Sequence, residues 1–165
     1  MESYFIGITL PPALEAEIEA WRRRFHAPRT APHITLIPPF QWDHSYAELA
    51  AVVQSTASRR PQFTIRGAGI GSFGKAVLFV KVEPSPELLA FQRDLAGELE
   101  QFGVPVETRP YHPHITLATR LTPQRFQAYV EELADYDPSY EFSFTRAGIF
   151  QLIDAGRGKR WQLLS

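Results

Sequence analysis

The chain contains no cysteine among its 165 residues. Disulfides, thiolate nucleophiles and thiolate metal sites are thereby excluded, and the absence fits a reducing compartment. An excess of either charge is also missing. Seventeen basic residues stand against 18 acidic ones, for a formal net charge of -1. Such a chain does not coat long nucleic acid by bulk electrostatics, although a local basic cleft stays open to it. No apolar run approaches the ~20 residues of a membrane helix. The start Met1-Glu2-Ser3-Tyr4 lacks the basic stretch and apolar run of a signal peptide. The expectation is a cytoplasmic protein with no membrane partner, and a monomer. Hydrophobic residues, by contrast, make up 44%, with 12 Phe, 6 Tyr and 3 Trp. That supply of bulky packing groups argues for a folded core. The length suits one domain, or two intimately packed lobes.

Tyr4 to Leu10 reads as a buried strand ended by Pro11-Pro12. Ala13 to Phe25 reads as a helix with Leu14, Ile18, Trp21 and Phe25 as its apolar stripe. The run Arg22-Arg23-Arg24 reads as its solvated face. His33 to Ile37 reads as a strand stopped by Pro38-Pro39, Tyr46 to Arg59 as a helix, Phe63 to Ile70 and Ala76 to Glu83 as strands. Glu87 to Phe102 reads as a helix carrying Leu88, Phe91, Leu95 and Leu99, with Gly103 as its stop. Tyr111 to Thr119 is a strand. Thr122 to Leu133 is a helix capped by Thr122 with Pro123 at its first position. Tyr140 to Phe150 is a strand, Asp154 to Gly158 a turn, and Arg160 to Leu164 a last strand.

Two stretches of this sequence occur twice. Pro32-His33-Ile34-Thr35-Leu36 returns unchanged as Pro113-His114-Ile115-Thr116-Leu117, 81 positions on, from His33 to His114. Phe63 to Ile70 resembles Phe142 to Ile149, 79 positions on, from Gly69 to Gly148. Matches in one order at nearly one offset mark an internal duplication. The chain reads as a single domain over 1–165 whose halves are about 1–73 and 74–165. No Pro-rich or Ser-rich linker parts them, so tight packing is expected. Pseudo-twofold symmetry predicts equivalent strands face to face.

In a strand, alternate side chains share a face. His33 and Thr35 therefore point one way while Ile34 and Leu36 anchor the strand on a core. His114 and Thr116 repeat this against Ile115 and Leu117. Two imidazoles that meet in one cleft can serve as general base and general acid, because imidazole titrates near neutral pH. Threonine hydroxyls can hydrogen-bond phosphate oxygens, so neither a metal nor a covalent intermediate is required. His112, His114, Thr116, Ala118 and Arg120 share parity, which would set Arg120 beside the pair as a phosphate ligand if the strand runs on. Arg66, Lys75, Arg109 and Arg146 are lesser candidates.

Two H-x-T-x motifs in this repeated context resemble the two-histidine (2H) phosphoesterase superfamily, in particular its bacterial RNA 2′,3′-cyclic phosphodiesterase / 2′-5′ RNA ligase-like branch. The likeness extends over Tyr4 to Leu10, Val82 to Leu88, Arg109-Pro110-Tyr111 and Phe142 onward. It implies an α+β bilobal fold, with two antiparallel-type sheets around a central cleft and helices outside. It also implies roles: His33 protonates the leaving oxygen, His114 activates water, and Thr35 and Thr116 bind the phosphate. After the first motif stands Ile37-Pro38-Pro39-Phe40, where RNA cyclic phosphodiesterases often carry Arg. After the second, Arg120 lies one place later than usual.

The expected activity is metal-independent opening of a 2′,3′-cyclic phosphate, on an RNA 3′ end or a small nucleotide, to a 2′-phosphomonoester. Weak 2′-5′ ligation would follow by reversal, and no cofactor is called for. The alternatives are a non-catalytic binding module for RNA ends or nucleotides and a metal-dependent hydrolase using His112-x-His114. Phe5, Phe40, Phe73 and Phe150 are candidates to stack on a base, though aromatics are mostly core. His26 and His44 read as surface residues.

Overall fold

The computed structural model describes residues 1–154, 156 and 158–164. Among the described residues there are nine strands and four helices, in the order β1 (Glu2–Thr9), α1 (Pro12–Arg24), β2 (His33–Trp42), α2 (Tyr46–Ser58), β3 (Thr64–Ala68), β4 (Ile70–Phe73), β5 (Val77–Lys81), α3 (Pro86–Glu100), β6 (His114–Ala118), α4 (Pro123–Glu132), β7 (Ser139–Ser143), β8 (Gly148–Asp154) and β9 (Lys159–Leu163). The helices start where local chemistry supplies a partner for free backbone N–H groups. Ser45 caps α2 in a reciprocal capping box with Glu48. Ser85 and Thr122 cap α3 and α4, each followed by a proline in the first turn. The expected stripe of α3, Leu88, Phe91, Leu95 and Leu99, is fully buried, each side chain contributing roughly 1.5–3 kcal/mol.

Seven strands form one antiparallel sheet in the order β4-β5-β6-β2-β1-β8-β9, and β3 pairs with β7 in a second, small sheet. Exchanging β1 with β5, β2 with β6 and β4 with β8 reverses the first six strands onto themselves. The duplication is thus a pseudo-twofold whose axis passes between β2 and β6. Ile34 pairs directly with its own repeat, Ile115, and Thr64 pairs with its repeat, Ser143. The equivalent motif strands therefore lie side by side in one sheet rather than face to face. Each half also lends an outer strand to the other: β4 pairs with β5, and β8 with β1. The helices cross over as well, α1 packing on β6 and α3 on β2.

Three expectations need correction. The strand expected to stop at Pro38-Pro39 continues to Trp42. Both prolines are exposed at a bulge, where the pairing with β1 jumps from Ile37 to Phe40, so no ladder bond is asked of a missing N–H. The expected strands Phe63 to Ile70 and Tyr140 to Phe150 each break in two. The first breaks at Gly69, with φ 85°, and each break sends one piece to the small sheet and the other to the large one. Arg22 is not solvated but buried, 6% exposed. The turn expected over Asp154 to Gly158 includes Ala155 and Arg157, which lie outside the described residues.

Candidate active site

The antiparallel pairing of Ile34 with Ile115 decides the layout of the repeated motifs. One step outward on each strand sets His33 opposite Thr116 and Thr35 opposite His114. These four half-buried side chains share one face at the centre of the sheet. Ile34, Leu36, Ile115 and Leu117 point to the other face and are fully buried, as the period of two requires.

Each imidazole is anchored from below. The Nδ1 of His33 donates to the carbonyl of Ala31 at 2.8 Å, and the Nδ1 of His114 donates to that of His112 at 2.7 Å. Both acceptors occupy the same place in the repeat, two residues before the ring and one before a proline. Proline holds its predecessor extended, which presents the carbonyl in the same way twice. A carbonyl only accepts, so Nδ1 carries the hydrogen and Nε2 keeps the reactive lone pair in the neutral ring. The Nε2 of His33 lies 3.2 Å from Thr35 Oγ1.

Burial pushes the pKa of His33 down to about 4, with the positive fields of Arg22 and His114 adding to it and the Ala31 carbonyl opposing. Burial lowers His114 too, helped by His112 and opposed by the hydrogen bond to the His112 carbonyl. Sequence reasoning allowed one ring to start protonated at neutral pH. In the unliganded protein both are held neutral.

Aromatic rings wall the site on both sides. Phe5 and Phe150 stack at 4.4 Å and lie 4.8 and 5.2 Å from the His33 ring, and Trp161 of β9 abuts Phe5 at 4.9 Å. Phe73 and Phe79 lie 4.8 and 5.2 Å from the His114 ring. Phe73 is 39% exposed, the open ring of the four. The fit on the His33 side depends on Gly7, paired with Thr35. A methyl group there would fall 2.9 Å from the Ile34 carbonyl oxygen and 3.3 Å from the His33 ring.

The cations distribute differently from expectation. The strand ends at Ala118, and Arg120 is exposed in a left-handed conformation at φ 53°. Strand parity therefore does not carry Arg120 to the histidines. Arg66 bridges Glu83 and Glu141, and Arg109 bridges Glu107. Lys81, not singled out from the sequence, pairs with His114 across β5 and β6 and shares its face. Its stem crosses the backbone at Gly71. Only the parity of Lys81 with Phe79 was visible in the sequence, and which strand lies beside β5 is a tertiary fact. Phe40 packs with Tyr4 and Trp42 in the core, away from the site. His44 is exposed, as expected, and hydrogen-bonds the Phe102 carbonyl. Among the described residues no three His, Asp or Glu side chains gather as a metal set, His112 and His114 included. No described helix is long and apolar enough to cross a membrane.

The sequence profile of the 2′-5′ RNA ligase superfamily matches residues 10–155. A Bacillus pumilus relative, classed by name among the phosphoesterases, is 30% identical over 127 residues, 70% of each chain. A Bacillus cereus relative, classed likewise, is 26% identical over 160 residues, 92% of this chain and 90% of that one. The fold is similar to that of E. coli LigT complexed with 3′-AMP. The TM-score is 0.71 at 24% identity, over 99% of this chain and 95% of that one.

Proposed function

Because the chain belongs to the 2′-5′ RNA ligase superfamily, we propose that it is a metal-independent phosphodiesterase that opens a 2′,3′-cyclic phosphate to a 2′-phosphomonoester. The observation that carries this reading is the pair of imidazoles, each fixed through Nδ1 on a backbone carbonyl, with both Nε2 atoms on one face beside the two threonines. A binding module needs anion donors, but it does not need two oriented groups able to exchange protons.

Water attacks the phosphorus while His114 Nε2 takes its proton. The bond from phosphorus to the 3′ oxygen breaks, and His33 Nε2 hands its proton to that oxygen. The hydroxyls of Thr35 and Thr116 donate to the non-bridging oxygens, and Lys81 offers positive charge on the same face. Both rings are neutral before substrate arrives. The anionic phosphate raises the proton affinity of His33, since an opposite charge nearby favours the charged form, and His33 takes a proton from solvent onto Nε2 as the substrate binds. Ligation of a 2′-phosphate is the reverse path through the same groups and is disfavoured in water.

The exposed ring of Phe73 beside His114 favours a substrate with a base to stack, and the similar LigT fold was solved with 3′-AMP. Small nucleotides and RNA 3′ ends share that chemistry. A panel of 2′,3′-cyclic nucleotides, assayed in EDTA with product analysis, tests the reading. Release of 2′-phosphomonoesters at an undiminished rate is expected. Activity abolished by EDTA would overturn metal independence, and binding without turnover would favour the non-catalytic module.

A further inference from the structure

The two motif threonines are held by their backbones as well as offered by their side chains. Between β2 and β6 the described ladder is the single pair Ile34 and Ile115, too little to hold two catalytic strands at one spacing. Two side chains add to it. Tyr111 Oη donates to the Thr35 carbonyl at 2.7 Å. Arg22 Nη1 donates to the Thr116 carbonyl at 3.0 Å. The accepting carbonyls are repeats of one another, and each donor comes from the opposite half of the chain.

Each link also reaches the residue just before a ring-anchoring carbonyl. Tyr111 precedes His112, whose carbonyl holds His114. Its repeat, 81 positions earlier, is Thr30, which precedes Ala31, whose carbonyl holds His33. Thr30 lacks a phenol, and Arg22 fills the gap: its Nη2 donates to the carbonyls of Thr30 at 3.3 Å and Pro28 at 2.7 Å. The two halves thus make the same tie, one by a phenol and one by a guanidinium.

Arg22 is a costly way to do this. It sits four residues after Ile18 on the buried stripe of α1, its Nε finds no partner among the described residues, and none of the described ion pairs includes it. A buried cation held only by carbonyls is poor value as a stabilising contact. Its position is explained by what it joins.

We propose that Arg22 and Tyr111 are reciprocal positioning residues, each reaching from one half of the chain to fix the motif threonine of the other half and, through the adjoining loop, the neighbouring histidine. The proposal rests on the phosphodiesterase reading of this site. A displacement of about 1 Å at a reacting group costs up to about 10²-fold. In Tyr111→Phe, which removes one oxygen, kcat for a cyclic nucleotide should fall about 10-fold with KM within about twofold. Arg22→Lys keeps charge without the three-way bridge, so kcat should fall likewise. Arg22→Met should fall furthest, about 100-fold.

Histidine ring ¹⁵N spectra of the free proteins read the same geometry without substrate. Both rings should report hydrogen on Nδ1 in the wild type, and ring signals should shift in Tyr111→Phe and Arg22→Lys. The charged or titratable neighbours acting on His33 are Arg22 from α1 and His114 from β6. His33 should therefore protonate at higher pH in Arg22→Met and at nearly unchanged pH in Arg22→Lys. Wild-type kcat and unmoved ring signals in both Tyr111→Phe and Arg22→Lys would overturn the proposal, whatever the melting temperatures. If the wild type turns over no cyclic phosphate, the functional reading fails, and the ring spectra alone decide the clamps.

Discussion

At the scale of the residue, the proposed mechanism gives each of the two histidines one job. Replacing either His33 or His114 by Ala should lower kcat by several orders of magnitude, and replacing both should cost little more, because proton donor and acceptor act as a unit. Steady-state kinetics on a cyclic nucleotide checks this. A double variant with near wild-type turnover and a native melting curve would refute the mechanism. Thr35→Ala and Thr116→Ala should each cost roughly 1.5–3 kcal/mol of transition-state binding, the worth of a hydrogen bond to a charged oxygen. The pH profile has a definite sign. The proposed mechanism needs one ring neutral and one protonated in the productive free enzyme, and both rings titrate below the ordinary histidine value, His33 near 4. The optimum of kcat/KM should therefore lie on the acid side of about 6.5, with a fall of roughly tenfold per pH unit above it. The limbs belong to the pair rather than to either ring. A plateau extending from pH 7 to 9 would contradict the depressed values.

At the scale of the element, the motif strands work because their neighbours leave room. Gly7 of β1 faces the His33 ring closely enough that a methyl group would force β1 and β2 apart. Gly7→Ala should lower the melting temperature by an amount equivalent to about 1–3 kcal/mol of overpacking, and it should lower kcat along with it. Thermal denaturation and kinetics on the same sample check both, and a neutral Gly7→Ala would show that β1 has slack. Helix positions were readable from capping residues, prolines and three-four spacing, as in Thr122-Pro123 and in Leu88, Phe91, Leu95 and Leu99. Strand ends were less so. Pro38-Pro39 looked like a stop, yet a bulge absorbs both prolines. Gly69 fell inside one expected strand, Phe63 to Ile70, yet it parts two strands that belong to different sheets.

At the scale of the whole molecule, the pseudo-twofold is broken by β9, which has no counterpart in the first half. Its Trp161 backs Phe5, which packs on His33, while Phe73 beside His114 stays open. On the covered side, burial is the first cause of the depressed pKa of His33. It has a consequence for stability. The unfolded chain protonates His33 near 6.5 and the folded one near 4, so between these values the unfolded state binds more protons. Stability should be fully present above about 6.5 and decline as pH falls toward 4. Urea unfolding across that range should show a shallower decline in His33→Gln than in the wild type. An identical slope in the two proteins would remove His33 as its source.

By itself the sequence determined that the chain is duplicated, that His33 with Thr35 and His114 with Thr116 share strand faces, and that Ile34, Leu36, Ile115 and Leu117 lie beneath them. These follow from local periodicity, which every short window of sequence carries. Only the tertiary structure decided that the two motifs are neighbours in one sheet, that Lys81 rather than Arg120 lies beside His114, and that Arg22 is buried across from Thr116. The physical reason is that strand pairing joins residues far apart in the chain. Which edge meets which is chosen by the summed burial of both halves, a quantity no single segment contains.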